Sequence, residues 1–265
     1  MKKYKAYAKV NIFLKITGKR GDYHEIISRF MLVKTLFDEL CFVPKNQTDA
    51  LVNGFKIIGD FACDVKENTI YKAYVALKEH TRSDALEKLM QTYAVQVEKN
   101  IPAFAGLGGG SSDAATYLMM CNEVLHLGLS RNELAQIGFK VGADVPFFVY
   151  GYNTANVSGV GEVVEEFHEE LLDLDVVTPK IEISTPRVYK AYREHFYDPL
   201  DGFEVARLKQ LKSSEILKTI DASGANDLFL PAMQEYKELK KYYKHGYYFS
   251  GSGSSFFKIK DKSDG

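Results

Sequence analysis

The sequence predicts an α+β protein with two domains, on three observations. Residues 4–14 place apolar side chains at every second position, which is the period of a β-strand. Apolar residues recur at helical spacing in later stretches, among them 68–80 and 114–125. A second pattern of strand and helix begins near Val176. Strands and helices are therefore expected in both halves of the chain.

In the first half, the predicted strands are Tyr4–Leu14, Phe30–Val33, Glu39–Pro44 and Tyr93–Glu98. Helices are predicted over 68–80, from Ser83, after a Gly-rich loop with Ser111 or Ser112 as the N-cap, and from Ser130. Ser130 followed by Glu133 is the sequence signature of a capping box. Residues 147–162 are predicted to be an extended pair around Asn153 and Gly159.

The second half is predicted to begin with a strand over Val176–Ser184. Helices follow after Pro186, around 209–220 and over 227–241, and two strands flank the stretch SGSGSS.

The boundary between the halves is expected between Ser158 and Val176. We predict a first domain over residues 1–160 and a second over residues 161–265.

Composition limits the possible partners. Lys and Arg number 34 and Asp and Glu 35, a net charge of −1, which gives no reason to expect nucleic acid or an acidic membrane as a partner. Lysines interrupt the apolar residues at the N-terminus, so neither a signal peptide nor a membrane span is predicted. The three cysteines are far apart and form no CxxC motif, so we predict no disulfide framework or zinc site. A cytoplasmic protein is expected, and the sequence defines no oligomeric state.

The stretch FAGLGGGSSDAATYL, residues 104–118, contains the strongest functional signal. Backbone N–H groups at the start of a helix lack helical partners and, with the helix dipole, favour anions. Glycine allows phosphate oxygens to reach these amides, and serine hydroxyls add donors or a magnesium ligand. The loop therefore predicts a polyphosphate site.

Two common phosphate-binding motifs do not fit this loop. A P-loop requires GxxxxGK[ST], and Gly18-Lys19 lacks both the preceding glycine and the following serine or threonine. A dinucleotide fingerprint beginning at Gly106 has Ser111 where its third glycine would stand. The loop belongs to another class of phosphate site.

Three further stretches accompany the loop. AYAKVNIFLKI carries Lys9 and Asn11 on the polar face of the first strand. GADVPFF places Asp144 in a tight turn that closes a helix, and SGSGSSFF alternates glycine and serine between two strands.

Together these motifs resemble the superfamily of galactokinase, homoserine kinase, mevalonate kinase and phosphomevalonate kinase, the GHMP kinases. The resemblance covers nearly the whole chain, in the order AKVN, YHE, AGLGGGSSDAA, GADVPFF, SGVGE, TPRVY, NDL and SGSGSSFF. It implies a two-domain α+β fold. The N-terminal ATP-binding kinase domain would be similar to domain 2 of ribosomal protein S5, the C-terminal domain would be ferredoxin-like, and the active site would lie in the cleft between them.

The resemblance also implies roles at matching positions. It implies that Lys9 and Asp144 are catalytic. It implies nucleotide binding by Pro102, Gly106, Leu107, Gly108, Gly109, Gly110, Ser111 and Ser112, and substrate binding by Asn11, Tyr23, His24 and Tyr189. The implied cofactors are ATP and Mg²⁺, with no protein residues assigned as metal ligands. Phe104 stands where relatives commonly have glycine.

These roles agree with the chemistry of phosphoryl transfer, which depends on positioning and on neutralising charge. Asp144 can orient a hydroxyl and accept its proton. Lys9 can favour the ionised carboxylate and offset charge on the transferring phosphate.

Within the superfamily, the match is closest to transferases that phosphorylate the 2-hydroxyl of 4-diphosphocytidyl-2-C-methyl-D-erythritol in non-mevalonate isoprenoid biosynthesis. Homoserine or mevalonate is the alternative small-molecule acceptor, but the aromatic residues in YHE and TPRVY favour an acceptor that carries a base. A nucleotide-binding module without catalysis is the alternative from another class. A catalytic aspartate argues against it.

Overall fold

A computed structural model describes residues 2–46 and 52–260, which form an α+β fold, as predicted. The strands are β1 (Tyr4–Arg20), β2 (Tyr23–Pro44), β3 (Ile57–Ile58), β4 (Tyr93–Glu98), β5 (Thr154–Gly159), β6 (Val163–Glu166), β7 (Leu174–Val177), β8 (Tyr248–Phe249) and β9 (Phe256–Ile259). The α-helices are α1 (Thr69–Thr81), α2 (Asp84–Thr92), α3 (Gly109–Val124), α4 (Arg131–Phe139), α5 (Val145–Tyr150), α6 (Thr185–His195), α7 (Gly202–Gln210), α8 (Ser213–Thr219), α9 (Ala222–Ala225) and α10 (Phe229–Glu235). None of these helices is both long and apolar enough to span a bilayer.

The described residues form two compact units, each assembled from several stretches of chain. Unit 1 contains residues 2–8, 34–46, 52–103 and 109–151. Unit 2 contains residues 9–33, 104–108 and 152–260. The domain limits 1–160 and 161–265 stay a prediction, because the long strands β1 and β2 each contribute to both units.

Unit 1 packs helices beside a small sheet. The C-terminal part of β2 pairs antiparallel with β4, with Glu39 opposite Glu98, and β4 pairs in parallel with β3. Helix α3 packs against α1 and α5, and α4 packs against α5. Residues Ser112–Leu118 of α3 are all buried, so this helix is enclosed after its first turn.

Unit 2 contains two sheets. The N-terminal part of β2 pairs antiparallel with β5, which pairs antiparallel with β6. A second sheet has the order β7-β9-β8, with antiparallel pairs. Apolar side chains of β1, α6, α10, β8 and β9 form one buried cluster that includes Ile16, Tyr192, Phe249 and Phe256.

Local signals located several helices correctly. Asn68 and Ser83 cap α1 and α2 with their side chains, and β4 spans the predicted residues. Ser130 and Glu133 form the predicted capping box of α4. These boundaries were predictable because each depends on side chains within one turn of the helix end.

Several boundaries were wrong. Strand β1 continues to Arg20, past the predicted Leu14, and the predicted strands Phe30–Val33 and Glu39–Pro44 are parts of one strand, β2.

Residues 147–150 belong to helix α5, strand β5 lies inside the predicted extended segment, and its partner β6 begins at Val163, just past the predicted end. The run VPFFVY is apolar throughout, so its period cannot separate a buried strand from a buried helix. Strand β7 ends at Val177, well before the predicted Ser184, and Pro179 lacks the N–H that a strand ladder needs.

Candidate active site

The glycine-rich loop begins with a residue that has to be glycine. Gly106 has φ +74°, and a Cβ atom on it would lie 2.1 Å from the carbonyl oxygen of Ser250. The amide of Lys9 donates to the carbonyl oxygen of Leu107 at 2.9 Å. Strand β1 and the SGSGSS stretch therefore both contact the start of the loop, within unit 2.

The second part of the loop forms the first turn of α3, which begins at Gly109 rather than after the serines. A Cβ on Gly109 would lie 2.8 Å from Cγ2 of Ile101, and one on Gly110 would lie 3.2 Å from Oγ1 of Thr69. Ser111 is half-buried and Ser112 is buried. The predicted serine N-cap is thus wrong, because the glycines themselves form the opening helical turn and its outward N–H groups.

Pro102 and Phe104 precede this loop, and both are exposed. Phe104 has φ +52°, in the left-handed region that favours glycine. Its backbone therefore keeps the conformation expected where relatives commonly have glycine.

Lys9 and Asn11 are buried, 3% and 1% exposed, although the sequence places them on the polar face of β1. The Lys9 ammonium donates to Oδ1 of Asn11 at 2.6 Å and to the carbonyl oxygen of Gly106 at 3.2 Å. It also lies 4.5 Å from the centroid of the Phe30 ring. The structure thus brings together three of the predicted site residues.

Asp144 occupies the N-cap position of α5, so it opens a helix rather than closing one. The carboxylate is half-buried, and its turn approaches the glycine-rich loop within unit 1. A Cβ on Gly142 would lie 3.6 Å from the Ser111 hydroxyl oxygen. Ser111 and the turn that carries Asp144 are therefore neighbours.

The three aromatic candidates all lie in unit 2, and two are in contact. The ring of His24 stacks on that of Tyr189 at 5.1 Å between centroids and meets the Tyr192 ring edge-on. Its Nε2 atom is buried and has no hydrogen-bond partner within residues 2–46 and 52–260. Burial, together with Arg193 and Lys19, lowers the pKa of His24. Tyr23 is 71% exposed.

A buried ionic cluster beneath α3 was missed from the sequence. Lys99 contacts Asp38 and donates to Oδ2 of Asp113 at 2.7 Å. Asp38 also accepts from the amides of Asn100 and Ile101 at 2.5 and 2.8 Å. Asp113 is predicted in the first helical turn, but α3 starts earlier and buries it beyond that turn.

Asp38 and Lys99 are far apart in the sequence, so no local pattern indicated that they would pair. Ser28 and Ser250, which bond to the groups around Lys9, were likewise missed. The SGSGSS motif was the one available signal for Ser250.

The change in melting temperature that Asp113→Asn causes is expected to be more favourable near pH 8 than near pH 5. Burial raises the pKa of Asp113 to about 7, against the opposing effect of Lys99, while Asp38 also raises it. The contribution of the protonated carboxyl to stability is complete below its ordinary pKa, 3.8, and is lost as the pH rises through about 7. Asparagine does not titrate, so it removes this loss.

The measurement is thermal unfolding from about pH 5 to about pH 8. Asp221→Asn is the matched control, since Asp221 has a lowered pKa and stays ionised over this range. A difference in melting temperature between Asp113→Asn and wild type that stays constant across this pH range would contradict the expectation.

Comparison with known proteins defines the class first. Residues 68–152 match the family model "GHMP kinases N terminal domain", which spans α1, the glycine-rich loop and the Asp144 turn. The GHMP kinases are small-molecule phosphotransferases, and the predicted GHMP fold and kinase class are confirmed.

Full-length relatives define the family more narrowly. The chain is 66% identical over 267 residues to the 4-diphosphocytidyl-2-C-methyl-D-erythritol kinase of Sulfurimonas denitrificans, covering 100% of this chain and 99% of that one. It is 43% identical to the kinase of the same name from Sulfurovum sp., covering 97% and 98%. A crystal structure of 4-(cytidine 5'-diphospho)-2C-methyl-D-erythritol kinase matches with TM-score 0.69 and 28% identity, covering 98% and 90%. The chain belongs to the 4-diphosphocytidyl-2-C-methyl-D-erythritol kinase family.

Proposed function

We propose that this protein transfers the γ-phosphoryl group of ATP to the 2-hydroxyl of 4-diphosphocytidyl-2-C-methyl-D-erythritol. One observation carries the assignment of residues: a buried lysine, Lys9, is bonded to the first glycine of a phosphate-type loop and to Asn11. A buried ammonium on such a loop suits neutralisation of phosphate charge. Family membership supports the acceptor.

The loop from Gly106 to Ser112, with Pro102 before it, is proposed to bind the ATP phosphates. Gly109 and Gly110 open α3 and have no side chains of their own that could cover the N–H groups of its first turn. Phosphate oxygens can approach these amides closely, and the helix dipole favours their charge.

Magnesium is proposed to act with ATP. Mg²⁺ prefers oxygen ligands and is commonly held by substrate phosphates with one or two carboxylates. The hydroxyl of Ser111, in the first turn of α3, is an oxygen donor beside the proposed phosphate site. When bound, the ion would neutralise charge on the phosphates.

Asp144 is proposed to orient the acceptor hydroxyl and to accept its proton, and Lys9 to offset charge on the transferring phosphoryl group. Asn11 is proposed to contact the acceptor. Its amide oxygen binds Lys9, so it couples acceptor and lysine positions.

The cytosine end of the acceptor is proposed to bind between Tyr23 and Tyr189, with His24 reading its polar edge. The contact between His24 and Tyr189 and the buried Nε2 atom support this assignment. A lowered pKa favours the neutral imidazole, which has one donor and one acceptor nitrogen.

Tyr189→Ala is expected to raise the KM for the cytidine acceptor by roughly 5- to 150-fold, because stacking a base on an aromatic ring contributes about 1–3 kcal/mol. The KM for ATP should barely change. Steady-state kinetics with each substrate varied in turn measures both constants.

Tyr189→Phe is the matched control, since it keeps the ring face and should be nearly silent. A variant Tyr189→Ala that impairs ATP use and spares the acceptor would show that the pocket holds the other ligand.

The proposed function is tested by measuring ADP release from magnesium-ATP with a panel of acceptors. ADP is expected with 4-diphosphocytidyl-2-C-methyl-D-erythritol and not with homoserine or mevalonate. ADP release with either small acceptor would favour the alternative kinases. Nucleotide binding without ADP from any acceptor would favour a binding module.

We also propose a cytoplasmic location and action without nucleic acid. The near-zero net charge supports action without nucleic acid. The free cysteines fit a reducing compartment.

A further inference from the structure

Ser28 lies on β2, is fully buried and holds two hydrogen bonds near the candidate active site. Its hydroxyl donates to the carbonyl oxygen of Phe13 at 2.5 Å. The same oxygen accepts a hydrogen bond from Nδ2 of Asn11 at 2.9 Å. Ser28 is therefore one contact away from Lys9, through Asn11.

The two bonds of Ser28 fix the orientation of the Asn11 amide. A hydroxyl has one proton, and a carbonyl oxygen can only accept. With its proton on the Phe13 oxygen, Ser28 has only lone pairs to offer Asn11. Asn11 must turn its NH₂ group to Ser28, and its oxygen therefore faces the Lys9 ammonium.

The opposite orientation would be unfavourable at both ends of the amide. The NH₂ group would face the Lys9 ammonium, which has three donors and no acceptor. The amide oxygen would face the lone pairs of Ser28. Both groups are buried, where an unsatisfied polar atom is costly.

Lys9 has a second acceptor that does not depend on Ser28. The carbonyl oxygen of Gly106 accepts from Lys9 and, at 2.9 Å, from the Ser250 hydroxyl. The Ser250 hydroxyl oxygen in turn accepts from the backbone N–H of Asn11 at 3.3 Å. Loss of Ser28 would thus weaken the contact between Asn11 and the Lys9 ammonium, while the contact between Lys9 and Gly106 would remain.

We propose that Ser28 is a positioning residue for the phosphoryl transfer: it locks the Asn11 amide so that its oxygen holds the Lys9 ammonium in place. This inference rests on the proposed function, in which Lys9 and Asn11 act on the substrates. Ser28 itself does not need to touch either substrate.

Ser28→Ala is expected to lower kcat by about 10- to 100-fold, a range taken from hydrogen-bond partners that orient metal ligands and applied here to the partner of Asn11. The KM for ATP should change by less than about threefold, because the glycine-rich loop is untouched. Ser213→Ala is the matched control: Ser213 is also fully buried in unit 2, but its hydroxyl bonds to Glu169. It should keep the wild-type kcat.

A double-mutant cycle that combines Ser28→Ala with Asn11→Asp separates a positioning role of Ser28 from a packing role. A carboxylate has two equivalent oxygens, so one faces Lys9 whichever way the group turns. In the Asn11→Asp background, Ser28→Ala should lower kcat by less than about threefold. Ser28→Cys nearly keeps the size of the side chain, but its thiol forms only a weak hydrogen bond. If the alanine variant does not fold, Ser28→Cys takes its place in both backgrounds.

An equal loss of kcat in both backgrounds, or a wild-type kcat in Ser28→Ala, would overturn the positioning role. The wild-type enzyme is assayed in parallel. A wild type that releases no ADP with the cytidine acceptor contradicts the proposed function, whereas an active wild type with an unaffected Ser28→Ala contradicts the positioning role alone.

Discussion

Replacing Asp144 with asparagine is expected to lower kcat by about 10²–10⁴-fold, the contribution typical of a positioned general base. Asparagine keeps the size of the side chain but cannot accept the proton of the acceptor hydroxyl. Asp144 makes no side-chain capping bond to α5, so the helix should not lose a cap. Steady-state and single-turnover kinetics, with thermal unfolding as a check on the fold, measure the effect.

Asp221→Asn is the matched control for this variant. Asp221 is also an N-cap aspartate, and it accepts a hydrogen bond from the amide of Gly224. The control should keep wild-type turnover. A kcat for Asp144→Asn within about threefold of wild type would remove Asp144 from the mechanism and favour proton transfer to the phosphate itself.

Gly106→Ala is expected to be the most damaging single change in the glycine-rich loop. The new methyl group would lie 2.1 Å from the Ser250 carbonyl oxygen and 3.0 Å from that of Gly253, and both are backbone atoms that cannot rotate away. The left-handed φ adds about 1–2 kcal/mol, and forced backbone shifts add about 1–3 kcal/mol. Urea unfolding should show a loss of about 2–5 kcal/mol, with a raised KM for ATP in the folded fraction.

Gly128→Ala separates the clash from the backbone conformation. Gly128 has φ +71°, close to that of Gly106, but a Cβ there would meet no heavy atom within 4 Å. The Gly128→Ala variant should lose about 1–2 kcal/mol of unfolding free energy and keep the wild-type KM for ATP. Equal losses of unfolding free energy in the two variants would contradict the close contact between SGSGSS and the loop at Gly106.

The sequence could predict features that depend on neighbours in the chain. The caps at Asn68, Ser83 and Ser130 are confirmed because a cap is completed within three residues. The glycine-rich loop was recognisable because a position such as Gly106 favours glycine twice: its φ is left-handed, and the Ser250 carbonyl oxygen leaves no room for a Cβ. The roles of Lys9, Asn11 and Asp144 came from the resemblance and stay predictions.

Features that depend on distant contacts could not be predicted. The alternation of β1 suggests one polar face, but both faces are buried from Ala8 to Leu14 because other elements cover the side of Lys9 and Asn11. Ser28 carries no signal of its own, since its importance lies in a bond to Asn11 across two strands. Asp38 and Lys99 are 61 residues apart and meet through the fold.

Phosphorus NMR of the reaction product tests the central claim most directly. The 2-hydroxyl of the acceptor is on the carbon that carries the methyl branch and no hydrogen. After reaction with magnesium-ATP, the proton-coupled spectrum should therefore show a new phosphomonoester singlet, with the acceptor diphosphate signals retained. A phosphomonoester split by protons would place the phosphoryl group on another hydroxyl, and inorganic phosphate alone would show hydrolysis of ATP; either result would contradict the proposed transfer.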